Sequence, residues 1–259
     1  MAADPRHPQS KVLGDDVTEG AANVSYGAKV FYNPVQCFNR DLSITVLNQF
    51  VRERVGEERF KELKAGVKLE GGIKILEPLA ATGLRSIRYA LEVPGIEEVH
   101  SNDLSSEAVN LLKENVRKNN VEDLIKITED DAISIMFNAR PSAMIRRYDV
   151  IDIDPFGTPS PFLDSAVQAV ADGGLLCVTA TDAAILCGKH IETCHAIYGS
   201  MGLNAAPFCH EMGVRILLRA IEAHANRYGR SIEPLISLSI DFYMLVISSN
   251  SDEKIHVVI

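Results

Sequence analysis

Residues 148–159 (YDVIDIDPFGTP) combine an acid, a proline and an aromatic residue at one predicted loop. The segment begins as an apolar run with alternating acids and breaks at Asp154-Pro155 and Gly157, which predicts a buried strand ending in a tight, exposed turn. Asp154 can accept a proton, Pro155 leaves its carbonyl oxygen free as a second acceptor, and Phe156 offers a π-face to a flat ring. Together these groups could hold the exocyclic amine of a nucleobase. An ordinary turn, with Asp154 as a helix cap and Phe156 in the core, is the competing interpretation.

Short apolar runs alternate with helical periodicity around this segment. Strands are predicted at residues 73–78, 99–103, 125–128, 148–153 and 175–182. Helices are predicted at residues 84–91, 105–119, 162–171 and 211–228, with a break at Gly173-Gly174. The alternation predicts a parallel, doubly wound α/β sheet, which binds ligands beyond the carboxyl ends of its strands. Two last apolar stretches, 232–240 and 243–248, could pair antiparallel through a turn at 241–242 or form one long strand.

The loop after the first of these strands, residues 79–83, indicates which cofactor the sheet could take. A dinucleotide site requires G-x-G-x-x-G there and a P-loop requires G-K-[ST], so NAD, FAD and P-loop nucleotides are disfavoured. Small side chains could instead accept the amino-acid end of S-adenosylmethionine, with Asp103 on the ribose and Asp131-Ala132 beside the adenine. Helix capping is the competing role for Asp103.

The N-terminal part contains a predicted arm, a hairpin and a helix. Residues 1–17 have little apolar periodicity and predict a flexible arm, and a hairpin or lid follows from residue 18. Residues 39–51 have the apolar spacing of an amphipathic helix, with Asn39 or Asp41 available to cap it. Arg40 would lie at that helix's start, where a cation opposes the helix dipole. An anionic partner for Arg40 and a plain surface position are both open interpretations.

Composition limits the class of protein. The 259 residues are 46% hydrophobic, and the formal net charge of −9 argues against a surface that coats nucleic acid everywhere, although a local basic groove remains compatible. We expect one domain in an intracellular, reducing compartment, since five cysteines without C-x-x-C pairs suggest neither disulfides nor a zinc ribbon. Cys194-His195 and Cys209-His210 are adjacent pairs, which rarely chelate one ion, so no metal site is expected. The sequence contains no apolar run of membrane-spanning length.

A resemblance to a known family rests on a series of motifs in continuous order. These motifs are VFYNPVQ with NRD at 30–41, AATGLRSIR at 80–88, ND at 102–103, DDA at 130–132, DPFG at 154–157, VTATD at 178–182, and CHEM with RI at 209–216. Together they resemble the tRNA guanine-26 N2-dimethyltransferases over nearly all of residues 18–243. The resemblance implies a class I S-adenosylmethionine-dependent methyltransferase fold, Rossmann-like, with a mostly parallel seven-stranded sheet and an antiparallel last strand.

The resemblance also implies roles for individual residues. The expected cofactor contacts are Arg40, Arg85, Asp103, Asp131 and Ala132. Asp154, with Pro155 and Phe156, would be catalytic, while Phe31 and Phe156 would hold the guanine base. The expected partners are S-adenosylmethionine and tRNA, with no membrane.

The resemblance further predicts how the chain is divided. Residues 18–250 would form the methyltransferase domain and 251–259 a tail, without the C-terminal tRNA-binding domain of the family. We therefore expect weak, salt-dependent tRNA binding through clusters such as Arg85-Arg88 or Arg146-Arg147. A catalytically silent module that binds tRNA or a protein partner is the alternative from another class, and an NAD-dependent enzyme is a remote third.

Overall fold

The computed structural model describes residues 16–26, 32–140 and 146–251. Its strands there are β1 (Asp16–Glu19), β2 (Ala22–Ser25), β3 (Ile73–Glu77), β4 (Ile96–Asp103), β5 (Ile125–Glu129), β6 (Tyr148–Ile153), β7 (Val170–Ala180), β8 (Ser231–Ile240) and β9 (Tyr243–Ser251). Its helices there are α1 (Gln36–Val55), α2 (Glu57–Glu62), α3 (Leu84–Glu92), α4 (Ser106–Lys118), α5 (Ala132–Asn138), α6 (Ser160–Ala169), α7 (Ala183–Leu186), α8 (Ile191–Tyr198) and α9 (Cys209–Asn226).

Seven strands form one sheet in the order β5-β4-β3-β6-β7-β9-β8. The five strands from β5 to β7 are parallel, whereas β9 pairs antiparallel with both β7 and β8. The predicted mostly parallel seven-stranded sheet with an antiparallel last strand is therefore confirmed. The predicted antiparallel pairing of the two C-terminal stretches is also confirmed, with Asp241 in the connecting turn at φ 48°.

Helices cover both faces of the sheet, so its central strands are buried on both sides. On β3, Ile75 belongs to the core layer that contains Leu47 of α1 and Ile87 of α3. Its neighbour Leu76 belongs to the opposite layer, which contains Leu163 of α6. Since successive side chains of a strand point to opposite faces, a continuous apolar run is the pattern that this two-sided burial requires.

The β1–β2 hairpin is attached to α4 rather than to the main sheet. Asn115 accepts from the Ser25 amide (2.8 Å) and donates to the Ser25 carbonyl (3.1 Å). Asn119 does the same with Asn23, at 2.9 and 2.7 Å. The hairpin expected from residue 18 is thus present, but it begins at Asp16, inside the predicted arm of residues 1–17. The remainder of that arm, residues 27–31 and the tail from 252 lie outside the described residues.

Two local predictions were wrong. Helix α1 begins at Gln36, so Asn39 is not its cap; Asn39 is fully buried and donates to Gln36 and Thr179 instead. The break predicted at Gly173-Gly174 lies inside β7, where the ladder shifts register between Tyr148 and Val150 of β6. A Cβ on Gly174 would come within 2.8 Å of the Asp149 carbonyl, so glycine permits close strand approach here rather than ending the strand.

Candidate active site

A cavity of about 410 Å³ opens at the carboxyl ends of β3 and β6. These neighbouring strands are where the strand order of the parallel part reverses, which is the position at which open α/β sheets bind their ligands. The residues lining the cavity are Tyr26, Tyr32, Asn33, Gln36, Arg40, Glu77, Leu79, Ala80, Ala81, Thr82, Leu84, Arg85, Asp154, Pro155, Phe156, Thr181 and Phe242. Arg40, Arg85, Asp154, Pro155 and Phe156 had all been predicted from the sequence as site residues.

The loop after β6 presents Asp154 and Phe156 to this cavity. The Asp154 side chain is 21% exposed, and Phe156 is 88% exposed. The loop is fixed to the end of β7, because the Gly157 amide donates to the Thr181 hydroxyl (2.7 Å) and the Thr181 amide to the Gly157 carbonyl (3.0 Å). Helix α6 starts only at Ser160 and has no side-chain cap. The competing interpretation of Asp154 as a cap and Phe156 as core is therefore wrong.

Arg85, on the first turn of α3, is the central cation of the site. Its side chain is 4% exposed and makes ion pairs with Asp152 (Nη1 to Oδ2, 3.0 Å) and with Asp154. The Tyr89 hydroxyl also donates to Asp152. Burial raises the pKa of Asp154, while the positive charge of Arg85 opposes that rise. Asp154 is thus a carboxyl group whose proton affinity is increased and whose orientation is held by one guanidinium.

Glu77 ends β3 at the base of the cavity and is a site residue that the sequence analysis missed. Burial raises its pKa to about 8, although the Arg85 charge and hydrogen bonds from Ser86 act in the opposite direction. The Ser86 amide donates to Glu77 at 3.0 Å, and the Ser86 hydroxyl donates to the same carboxylate oxygen. An acid at the end of the first central strand is the same signal that identified Asp103, so the sequence could have revealed it.

Arg40 lines the cavity and is held by an acid from the hairpin. Its Nε donates to Glu19 Oε1 at 2.6 Å, and Arg88 Nη1 donates to the same oxygen at 2.7 Å. Burial opposes ionisation of Glu19, but the bonds from Arg40 and Arg88 outweigh it and lower the Glu19 pKa. Arg40 lies in the second turn of α1 rather than at its start, so the dipole argument for it was wrong. An anionic partner is nevertheless present, and it is Glu19.

The three remaining predicted cofactor residues lie outside the cavity lining. Asp103 ends β4 and accepts from the Ala81 amide (2.8 Å) and the Ser105 amide (2.9 Å), so it braces the loop that lines the cavity. Asp131 follows β5 and caps α5 by accepting from the Ser134 amide at 2.8 Å. Ala132 is the first residue of that helix and is buried. All three lie along the same edge of the sheet as the cavity, because their strands are parallel neighbours.

Several aromatic residues belong to the site or were expected there. Tyr26, Tyr32 and Phe242 line the cavity, and the sequence analysis had not assigned them a role. Phe242 comes from the β8–β9 turn, far along the chain, and no local pattern indicates it. Phe31, predicted to hold a base, lies outside the described residues.

The predicted Arg85-Arg88 cluster for phosphate binding was wrong. Arg85 is enclosed by Asp152 and Asp154, and Arg88 makes ion pairs with Glu19, Asp41 and Glu92. Both guanidinium groups are buried and neutralised, so neither faces solvent. Arg146 is partly engaged in the same way, by Glu97 (3.0 Å) and Asp149 (2.7 Å). Within the described part of the chain, no helix is long and apolar enough to cross a membrane.

Comparison with known proteins agrees with this geometry. A family model described as N2,N2-dimethylguanosine tRNA methyltransferase matches residues 8–257. The tRNA (guanine(26)-N(2))-dimethyltransferase of Drosophila melanogaster is 47% identical over 95% of this chain and 47% of its own length. The human protein of the same name is 43% identical over 89% of this chain and 41% of its length. The chain thus spans about half the length of the curated relatives it matches.

A solved structure gives the same result. Trm1 from Pyrococcus horikoshii, solved in complex with S-adenosyl-L-methionine, superposes with a TM-score of 0.78 at 34% identity, over 92% of this chain and 62% of that chain. The methyltransferase fold expected from the sequence is therefore confirmed. The chain belongs to the family of N2,N2-dimethylguanosine tRNA methyltransferases.

Proposed function

We propose that this chain transfers methyl groups from S-adenosylmethionine to the exocyclic N2 of guanosine 26 in tRNA, giving N2-methyl- and N2,N2-dimethylguanosine. The observation that carries the proposal is the cavity-facing pair of Asp154 and exposed Phe156 in a chain of this family. The position 26 and the dimethylated product come from the names of the relatives. An intracellular location is part of the same proposal, since the substrate is tRNA.

The residues around the cavity fit S-adenosylmethionine. The cavity volume of about 410 Å³ is within the usual range for small-molecule sites, and the small side chains of Ala80 and Ala81 leave room beside the loop after β3. Arg40 and Arg85 line the cavity, and N–H groups that their acidic partners leave free would donate to the carboxylate of the cofactor. Glu77 has a raised pKa, and a bound amine or sulfonium charge would favour its carboxylate form. When bound, S-adenosylmethionine supplies an electrophilic methyl group.

We assign the outer part of the cofactor to the neighbouring strand ends. Asp103 would accept the ribose hydroxyls, since each carboxylate oxygen can accept a second hydrogen bond besides those from Ala81 and Ser105. Asp131 and Ala132 would lie beside the adenine. Arg85 has five N–H donors, so it can hold Asp154 and still contact the cofactor.

Asp154 would act on the amine of the guanine. The N2 lone pair is delocalised into the ring, so an acceptor must orient the N–H groups and take a proton as the methyl group transfers. A carboxyl group with a raised pKa is a better proton acceptor near neutral pH than an ordinary aspartate. The Pro155 carbonyl gives a second acceptor for the remaining N–H. Holding N2 in line with the methyl carbon would lower the activation free energy by several kcal/mol.

Phe156 would stabilise the guanine outside the tRNA stack. The target nucleotide must be unstacked, and stacking on an aromatic side chain contributes about 1–3 kcal/mol per base toward offsetting that cost. Phe156 exposes 88% of its surface at the cavity mouth, which leaves its ring accessible to a base. We propose that Phe31, which lies outside the described residues, also holds the base.

Binding of tRNA by this chain alone is proposed to be weak and steeply salt-dependent. The net charge is −9, and the buried arginines Arg85 and Arg88 cannot neutralise phosphates. The relatives are about twice as long as this chain, and we propose their remaining residues as a source of phosphate contacts. Tight binding that persists in high salt would contradict this part of the proposal.

The decisive experiment is mass spectrometry of nucleosides from unmodified tRNA incubated with the protein and S-adenosylmethionine. Parent, Asp154→Asn and Phe156→Ala are compared in single turnovers over a range of tRNA concentrations up to saturation, with tRNA carrying adenosine at position 26 as the substrate control. If the chain alone is inactive, the same variants are made in a full-length relative.

Each variant has its own expected defect. Asp154→Asn should slow methylation by about 10²–10⁴-fold with cofactor affinity largely retained. Phe156→Ala should raise the tRNA concentration needed for half-maximal rate. A methylation rate close to that of the parent in folded Asp154→Asn would contradict the assigned role of Asp154. A parent chain that gives no calorimetric heat with S-adenosylmethionine would instead indicate a silent module.

A further inference from the structure

Three potential metal ligands converge on the side of α9 that faces α7. Cys187 directly follows α7, while Cys209 and His210 are the first two residues of α9. One ligand atom from each lies within 4.8 Å of the others, and the Cys187 Sγ is 3.9 Å from the His210 Nδ1. In the described part of the chain this is the one group of three His, Cys, Asp or Glu residues that could share an ion.

These separations are close to those of a tetrahedral zinc site. Zinc binds sulfur at about 2.3 Å and nitrogen at about 2.0–2.1 Å, which puts two tetrahedral ligand atoms about 3.5–3.8 Å apart. The separation of the Cys187 sulfur and the His210 nitrogen is already close to that distance, and side-chain movements of about 1 Å would bring all three ligand atoms to it. The adjacent pair Cys209-His210 alone is a poor chelate, but Cys187 adds a ligand from a separate segment of the chain.

The surroundings favour a cation bound by thiolates. Two thiolates would balance the charge of Zn²⁺, so partial burial of Cys187 and Cys209 carries no net charge. Cys209 lies in the first turn of an 18-residue helix, so the backbone of α9 fixes its position beside His210. The Ser239 hydroxyl of β8 is 3.1 Å from His210 Nδ1, the nitrogen that also lies near the Cys187 sulfur. An ion bound at Nδ1 would replace this hydrogen bond, and the released Ser239 hydroxyl could then pair with a water molecule that completes the tetrahedron.

We propose that Cys187, Cys209 and His210 bind one Zn²⁺ ion, with water as the fourth ligand. Soft thiolates with an imidazole select zinc over magnesium or calcium. The ion would join the end of α7 to the start of α9. One turn later in α9 the two helices are already close, since a Cβ on Gly213 would lie 3.3 Å from the Leu186 side chain. The ion would fix the segment that follows Thr181 at the rim of the cavity, so its role is structural and separate from methyl transfer.

Metal content gives the first test. The chain is expressed with zinc in the medium, and the metal per chain is measured by plasma mass spectrometry for the parent, Cys187→Ala, Cys209→Ser and Cys37→Ser. Cys37 is the matched control, because it is also a half-buried free cysteine and, among the described residues, belongs to no group of three potential ligands. The parent and Cys37→Ser should carry about one zinc per chain, and the other two at least about tenfold less.

Two further measurements make the result independent of folding defects in the variants. A chelator should lower the melting temperature of the parent and of Cys37→Ser but leave that of Cys209→Ser unchanged. Titration of the stripped parent with Co²⁺ should produce thiolate-to-cobalt charge-transfer absorption that Cys209→Ser lacks. Equal zinc in Cys209→Ser and the parent would overturn the proposal. So would a metal-free parent, whether its Cys187 and Cys209 react as free thiols or have formed a disulfide.

Discussion

Replacing Arg85 by methionine would remove the cation around which the site's acids are arranged. The side chain is 4% exposed and faces Asp152 (0%), Asp154 (21%) and Glu77 (6%). Methionine keeps much of the volume, so the change isolates the charge. Removing one partner of a buried ion pair costs about 3–5 kcal/mol, because the other charge is left uncompensated. A domain is stable by only about 5–15 kcal/mol, so Arg85→Met should lose about a fifth or more of its unfolding free energy.

The deficit should depend on pH. Burial already raises the pKa of Asp154, and that of Glu77 to about 8, while Arg85 opposes both shifts. Without Arg85 both values rise further, so the folded chain holds protons that the unfolded chain releases. The folded state of the variant is then disfavoured as pH rises, and its deficit should be smallest below the ordinary pKa of a carboxyl group, about 4. The deficit should grow as pH rises through the raised pKa of Asp154 and then through that of Glu77 at about 8.

Urea unfolding followed by circular dichroism at about pH 5 and about pH 8 measures both effects. Arg215→Met is the matched control, since Arg215 pairs with Glu211 on an exposed helix face and should change stability by no more than about 0.5 kcal/mol. Adding Asp152→Asn to Arg85→Met should restore at least about 1 kcal/mol by removing a stranded charge. A loss under about 1 kcal/mol near pH 8, or one equal at both pH values, would refute the reasoning.

Three further predictions address the site. Asp103→Ala should weaken S-adenosylmethionine binding by about 1.5–3 kcal/mol in calorimetry, and unchanged affinity in a folded variant would remove Asp103 from the site. The stability that Glu77 contributes should fall as pH rises from its ordinary pKa to about 8, so the melting temperature of Glu77→Gln should depend less on pH over that window than that of the parent. The same dependence of melting temperature on pH in both proteins would argue against the shift. Single-turnover methylation should rise with pH through the raised pKa of Asp154, and a flat profile would exclude Asp154 as the base.

The sequence predicted the alternation of strands and helices because that alternation is a local pattern. Apolar runs such as the one around Ile151 reveal buried strands, and chain order then limits the sheet topology. The position of Asp154 followed from the same logic, since a break after such a run places its residues at the sheet's ligand-binding edge. The expected partners, S-adenosylmethionine and tRNA, came from the resemblance of the motifs to a family, because apolar periodicity does not reveal partners.

What the sequence could not predict were contacts between distant segments. Arg85 was predicted to belong to a cluster that binds tRNA phosphate, yet the fold encloses it with Asp152 and Asp154, 67 and 69 residues later. Glu19, which holds Arg40 from 21 residues away, carried no sequence signal. The break predicted at Gly173-Gly174 was wrong for a different reason, because glycine is typical both of turns and of places where strands approach closely.

The place of β9 in the sheet has a consequence for how the protein is made. β9 lies between β7 and β8, although it follows both along the chain. Its side chains enter both core layers, with Leu245 in one and Val246 in the other. While the nascent chain is still on the ribosome, β7 therefore has an unpaired edge until residues 243–251 emerge. Both core layers also lack the side chains of β9 until then. The ribosome exit tunnel thus delays completion of the sheet to the last stage of this domain's synthesis, and chaperones have that interval in which to bind the uncovered β7.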